Sequence, residues 1–307
     1  MLRLNGVTPV MATPFLADER IDEESLRRQI DFAIENGAAA VCGPGYASEF
    51  YKLSDDERRR FLKILVEQTR GRVPVIAATS CDSTSATLQL SQYAESLGAD
   101  CVMVTPPRTV ALPASQIADY YSVLCQELKI ALMLQDADFT GAGMPAAVFI
   151  ELAKRRSNFL FAKLEVALPG PKALEIIEST KGQVQVIYGL GGIRMIDGFD
   201  RGASAVMPGA AVLEVYVRIH QLYHSGDRDA ARSLFHQLLP YLSFALQHLE
   251  LAITIEKGVL ERRGILASGR VRKPTLPLAE TYGAEIETYS REAVELAEQC
   301  RMATLQT

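Results

Sequence analysis

Short apolar runs alternate with amphipathic stretches along most of the chain, at intervals of about 20 to 35 residues, the rhythm of repeated βα units. Strands are predicted at 6–10, 39–43, 75–78, 101–105, 130–135, 160–164, 186–188 and 205–208. Eight such units in succession predict an α/β fold of the (β/α)8 TIM-barrel type rather than an open sheet.

The intervening helices carry start and stop signals that agree with this reading. Asp22-Glu-Glu-Ser25 opens the first, Leu26, Ile30, Ala33 and Ile34 follow helical spacing, and Asn36-Gly37 closes it. Leu97-Gly98 closes the third helix in the same way, and Ser54-Asp-Asp-Glu57 has the form of a capping box. Arg58 to Arg60, the tightest basic triplet, are expected on a solvated face of the helix that follows. From about Ala211 the pattern becomes almost wholly helical, with breaks at Ser225-Gly226, Gly264 and 273–277. This predicts a catalytic barrel over 1–225 and a C-terminal helical appendage over 226–307, packed on the barrel.

Composition narrows the function classes. Of 307 residues, 48% are hydrophobic and 22% charged, ordinary globular usage, and the net charge of −5 leaves no basic block to neutralise phosphates, so nucleic acid is not an expected partner. Cys42, Cys81, Cys101, Cys125 and Cys300 are scattered and odd in number, which predicts reduced thiols. His220 and His224 share a helix face, but no Glu or Cys is spaced to complete a zinc site, and no metal is expected. No stretch approaches the roughly 20 apolar residues that span a bilayer. The N-terminus has no apolar signal region, so a cytoplasmic protein without membrane contact is expected.

Candidate chemistry lies at the carboxyl ends of the strands, where barrels of this type place it. Lys163 closes the buried run Phe159-Leu-Phe-Ala162 and is followed by Leu164 and Glu165. An amine in apolar surroundings loses part of its preference for charge, its pKa falling from about 10.4 toward neutrality, and can then attack a ketone. A solvated lysine at a strand end is the alternative. The other candidate segments are Gly43-Pro-Gly-Tyr-Ala-Ser-Glu49, Pro106-Pro-Arg-Thr109, Gln135-Asp-Ala-Asp-Phe-Thr-Gly141 and Gly189-Leu-Gly-Gly192. Asp136 and Asp138 are alternatively turn residues of their loop. Since barrels often bind phosphate after strands seven and eight, Gly189–Gly192 with Pro208-Gly209 also admits a phosphorylated substrate.

Taken together, Gly43 to Glu49, Val102-Met-Val-Thr-Pro106, Thr140-Gly141, Lys163 and the helical tail resemble the dihydrodipicolinate synthase and N-acetylneuraminate lyase family of Schiff-base barrels. The resemblance covers essentially the whole chain. It implies that Lys163 forms an imine with a 2-keto acid. The family's paired hydroxyl residues before the glutamate fall at Tyr46 and Ala47. Its strand-five tyrosine, counted back from Thr140-Gly141, falls at Leu134, and the synthase's substrate-binding arginine falls at Phe139. A narrower likeness is to the 2-keto-3-deoxy-L-arabonate dehydratase branch. It rests on Ser48-Glu49, Leu134-Gln-Asp-Ala137, Lys163-Leu-Glu165 with Pro169-Gly170 and Lys172, Gly264-Ile-Leu-Ala-Ser268 and Arg272-Lys-Pro274.

These likenesses imply a lyase that dehydrates a 2-keto-3-deoxy sugar acid, with the imine as electron sink and no cofactor. Glu165, Glu49 and Tyr46 are the candidates for proton transfer. The amides near Ala47 and Ser48 would hold the substrate carboxylate, Gln135 would meet hydroxyls, and the main-chain carbonyl of Val206 would face the pyruvate moiety. A homotetramer built from dimers is implied as well. A pyruvate-dependent aldolase or a synthase-like condensation remains open, because proton placement decides between them. So does a non-catalytic barrel that binds a keto acid.

Overall fold

The computed structural model describes residues 2–305. Residue 1, at the start of the expected barrel, and residues 306 and 307, at the end of the expected tail, lie outside the described residues. The order runs β1 (Gly6–Val7), α1 (Glu23–Glu35), β2 (Val41–Gly43), α2 (Asp55–Thr69), β3 (Val75–Ala78), α3 (Thr84–Leu97), β4 (Cys101–Val104) and α4 (Ala114–Glu127). It continues with β5 (Ala131–Asp136), α5 (Ala146–Arg155), β6 (Phe159–Leu164), α6 (Pro169–Ser179), β7 (Gln185–Tyr188), α7 (Met195–Asp200), β8 (Ala205–Val206) and α8 (Leu213–His224). Three further helices follow: α9 (Arg228–Ala245), α10 (Leu249–Arg262) and α11 (Leu278–Leu305). This is the α/β class, a (β/α)8 TIM barrel with C-terminal helices, as the alternation predicts.

By compactness the chain divides into two units, one of the residues through Asn5 with Pro74–Met207, the other of Gly6–Val73 with the chain from Pro208 onward. In the first unit, β3 to β8 pair in parallel, each with the next. Their residues are buried on both faces, which is why they read as unbroken apolar runs rather than alternating ones. In the second unit, β1 and β2 run in parallel through Ala39 N–H to Val7 O at 2.7 Å and Met11 N–H to Cys42 O at 2.8 Å. Helices α8 to α11 pack on one another there.

The local signals operate as read. Asp22 accepts from Ser25 N–H at the start of α1, and Ser54 and Glu57 form the capping box of α2. Gly37 and Gly98 take the left-handed conformation that ends their helices. Arg58 departs from expectation. Helical periodicity groups it with Phe61, Leu62 and Leu65 on the inner face of α2, where it is buried with its guanidinium over the Phe50 ring. Arg60 alone behaves as a surface group, in a two-pronged pair with Glu23.

None of the five cysteines is in a disulfide. On α8 the His220 and His224 rings lie 4.2 Å apart, and burial pushes His220 down to about 4. Among the described residues no three His, Cys, Asp or Glu side chains are grouped to hold a metal, and no helix is long and apolar enough to cross a membrane.

Candidate active site

In the first unit, β6 buries Lys163 at its carboxyl end, its side chain 4% exposed. The ladder continues past the strand, since Glu165 N–H donates to Asp136 O at 3.0 Å. Regular backbone keeps residues two apart on one face, so the Glu165 carboxylate comes to 3.3 Å from Lys163 Nζ. Two donors fix that carboxylate: Leu190 N–H on Oε1 at 2.8 Å and Gln135 Nε2 on Oε2 at 2.5 Å.

Strand register decides which residue of β5 stands beside the lysine. Gln135 pairs with Lys163, whereas Leu134 pairs with Ala162 and is fully buried. The side chain that strand five turns toward the Lys163–Glu165 pair is therefore Gln135, one residue beyond the position reached by counting back from Thr140-Gly141. Val206 pairs with Tyr188 on the eighth strand and is buried.

Asp136 and Asp138 hold their loop. Asp138 accepts from Gly141 N–H at 3.1 Å and Gly143 N–H at 3.0 Å, and Asp136 accepts from Met144 N–H at 3.1 Å. Asp136 also pairs with Lys172 of α6 at 2.6 Å. Burial raises its pKa above the ordinary value and the Lys172 ammonium opposes the rise.

The glycine-rich loop after β7 accommodates a carboxylate of the protein itself. A Cβ on Gly189 would lie 2.2 Å from Glu165 Oε1, so only glycine leaves space for the acid. Leu190, Gly191 and Gly192 then take left-handed conformations in succession, with φ of 47°, 60° and 75°, turning Leu190 N–H onto that oxygen.

The second unit holds the other predicted group. Tyr46–Ser48 form one 3-10 turn, closed by Ser48 N–H on Gly45 O at 3.0 Å. The Ser48 hydroxyl donates to Met11 O and accepts from Gly45 N–H, and Thr13 Oγ1 donates to Ser48 O at 2.6 Å. Tyr46 and Ala47 are half-buried, with the Tyr46 ring edge-on to Phe50.

Glu49 ends the turn fully buried in a left-handed conformation. Its Oε1 faces Lys257 Nζ at 2.5 Å, while Oε2 meets Lys52 Nζ at 3.2 Å and Arg272 N–H at 3.0 Å. Lys257 is itself fully buried, lies over the Phe15 ring and donates to Arg270 O at 2.6 Å. Burial pushes it down to about 8, opposed by the attraction of Glu49. Sequence reasoning missed these partners. The available signal was a lysine at 257 in the apolar stripe of Ile253 and Leu260 on α10.

A second internal acid went unnoticed. Glu256 Oε1 accepts from Ala210 N–H at 2.6 Å and Ala211 N–H at 2.8 Å, and a Cβ on Gly209 would lie 2.3 Å from its Oε2. Burial pushes Glu256 up to about 7, against the pull of the two amides.

The comparisons with known proteins agree with one another. The chain is 28% identical over 293 residues to the L-2-keto-3-deoxyarabonate dehydratase of Azospirillum brasilense, covering 94% of each protein. It is 31% identical to the 4-hydroxy-tetrahydrodipicolinate synthase of Pelobacter propionicus, over 76% of this chain and 80% of that one. The crystal structure of dihydrodipicolinate synthase from Rhodopseudomonas palustris superposes with a TM-score of 0.86 at 25% identity, over 94% of this chain and 97% of that one. Residues 3–293 match the dihydrodipicolinate synthetase family as a whole, and the chain belongs to that family.

Proposed function

We propose that this family lyase dehydrates a 2-keto-3-deoxy sugar acid of the 2-keto-3-deoxy-L-arabonate kind through an imine on Lys163, without a cofactor. The observation that carries the reading is the buried Lys163 amine 3.3 Å from a carboxylate held by two donors. The likeness to the Azospirillum dehydratase supports the substrate class.

In this reading the Lys163 amine adds to the C2 ketone, and loss of one water gives a protonated imine. The imine withdraws electrons from C3, and Glu165 takes the C3 proton to leave an enamine. The enamine electrons expel the C4 hydroxyl, which departs as water with the proton Glu165 has just received. Hydrolysis consumes one water, frees the lysine and releases a 3,4-unsaturated keto acid, which becomes the semialdehyde as a C5 proton shifts to C3 and the resulting C4–C5 enol ketonises. One water is lost overall. Gln135 has its amide nitrogen on Glu165 and offers its oxygen to a substrate hydroxyl. Ser48 N–H closes its own turn, so Ala47 N–H is the stronger candidate for the substrate carboxylate, and the Val206 carbonyl faces the pyruvate moiety. Glu49 is committed to Lys257 and Lys52, so we assign it to holding the turn that carries Tyr46, whose hydroxyl is a candidate proton relay. A cytoplasmic homotetramer built from dimers completes the proposal.

Borohydride trapping with peptide mass spectrometry tests it. With 2-keto-3-deoxy-L-arabonate, the expected outcome is an adduct on the Lys163 peptide and release of a keto acid semialdehyde. Pyruvate as product would replace dehydration by aldol cleavage. Absence of any adduct with pyruvate or the sugar acid would refute the imine mechanism. Glu165→Gln is expected to lower kcat about 10²- to 10⁴-fold while the adduct still forms.

A further inference from the structure

The strands beside β6 hold a hydroxyl group that the proposed chemistry leaves unused. Met103 of β4 pairs with Met133 of β5, and Gln135 of β5 pairs with Lys163 of β6. Residues two apart share a face, so Thr105 comes level with Gln135 on the face that carries Lys163. Neighbouring strands lie about 4.8 Å apart, which puts Thr105 one strand beyond Gln135 as seen from the lysine. All of these residues belong to the first unit.

Thr105 is built to keep one position. Pro106 after it confines its backbone to the extended region, and its β-branched side chain has few rotamers. Its N–H donates to Ser80 Oγ at 2.9 Å, and the preceding carbonyl, Val104 O, accepts from the buried Tyr121 hydroxyl at 2.9 Å. The residue is 4% exposed, yet among the described residues its hydroxyl has no hydrogen-bond partner. A polar group buried so deeply costs stability unless something satisfies it.

We propose that Thr105 is a specificity determinant whose hydroxyl bonds the C5 hydroxyl of the sugar acid, while Gln135 meets the departing C4 hydroxyl. The order of carbons then follows the order of strands, with C2 on Lys163 of β6, C4 beside Gln135 of β5 and C5 beside Thr105 after β4. C5 takes no part in the elimination, so the contact strengthens binding and leaves the chemical step alone. This inference rests on the function proposed above.

The test compares 2-keto-3-deoxy-L-arabonate with 4-hydroxy-2-oxopentanoate of the same C4 configuration, which has a methyl group in place of the C5 alcohol. Both acids are given to the full-length protein and to its Thr105→Val and Thr105→Ser variants. The unaltered protein should favour the sugar acid by at least about tenfold in kcat/KM. Thr105→Val keeps the shape of the side chain and should erase most of that preference, through KM for the sugar acid with kcat nearly unchanged. Thr105→Ser keeps the hydroxyl and should retain the preference. Pyruvate has no hydroxyl tail, and borohydride should trap it on Lys163 at the same rate in all three proteins. An equal preference in the unaltered protein and Thr105→Val would overturn the inference. So would a loss of pyruvate trapping in step with the loss of kcat/KM, which would make Thr105 merely structural. If the sugar acid forms the adduct but is not consumed, the proposed dehydration falls alone, and half-saturation of trapping by the two acids decides the role of Thr105. Absence of any adduct overturns both.

Discussion

Two lysines, each beside a glutamate and each almost without solvent, differ in how completely they are paired. Lys257 has a carboxylate at 2.5 Å and a carbonyl at 2.6 Å, and Glu49 opposite it has further donors from Lys52 and the Arg272 backbone. Lys163 has one carboxylate, at 3.3 Å, among the described residues, and that carboxylate is held by other groups. A buried charge with a full set of partners is fixed in place. A buried amine with a single partner at 3.3 Å is held less completely. Burial is common to both, and the number of partners separates the lysine suited to a structural role from the one proposed to react.

The largest expected effect comes from breaking the reactive half. Lys163→Met should lower turnover on the order of 10⁴-fold or more and abolish the borohydride adduct, since no other group supplies the imine nitrogen. Its melting temperature should hold or rise, because an apolar chain of similar length replaces an amine that is incompletely paired. A large drop in melting temperature would show that Lys163 is structural after all.

Breaking the other half should reverse the pattern. Lys257→Met leaves Glu49 buried with part of its compensating charge removed, and a loss of about 3–5 kcal/mol in urea unfolding is expected. Adding Glu49→Gln to it should recover part of that loss, because the stranded charge goes with it. A strictly additive double variant would mean that the two side chains do not act as a pair.

A smaller change should sharpen the contrast by moving Glu165 while leaving Lys163 intact. Gly189→Ala places a methyl group 2.2 Å from Glu165 Oε1, so the carboxylate must shift. A displacement of that order should lower kcat about 10²-fold while the pyruvate adduct still forms. Unchanged kcat would remove Glu165 from proton transfer.

How far the sequence foretold these arrangements depends on how local each one is. The eight strands, the Asp22 and Ser54 caps and the position of Lys163 follow from periodicity and neighbouring residues, and the structure agrees with them within a few residues. The face of Glu165 follows from strand alternation once the ladder is known to continue. That Gln135 rather than Leu134 stands beside Lys163 follows only from the register of β5 on β6, which spacing along the chain does not reveal. The Glu49–Lys257 pair spans 208 positions and Glu256 reaches the turn at Ala210 across 46. No periodic pattern links such residues. Only a charged side chain within an apolar stripe hints that a distant partner exists.

The smallest expected effect is the imprint of the paired lysine, Lys257, on stability against pH. Lys257 titrates at about 8 in the folded protein because burial disfavours its charge. In the unfolded chain it should titrate near the ordinary value of about 10.4. Below 8 both states hold the proton and the folded state carries the whole cost of burying it. Between the two values the unfolded chain binds more protons, so stability gained from this residue rises with pH, and above 10.4 the rise ends. Burial keeps Tyr216 and Tyr241 protonated in the folded state well above their ordinary pKa, which opposes the rise once unfolded tyrosines ionise near pH 10. The useful window is therefore pH 8 to 10. Across it, the unaltered protein should gain unfolding free energy relative to Lys257→Met, with a slope of at most about 1.4 kcal/mol per pH unit. Parallel curves for the parent and Lys257→Met would mean that Glu49 holds the Lys257 proton throughout the window, so that pairing rather than burial governs this lysine.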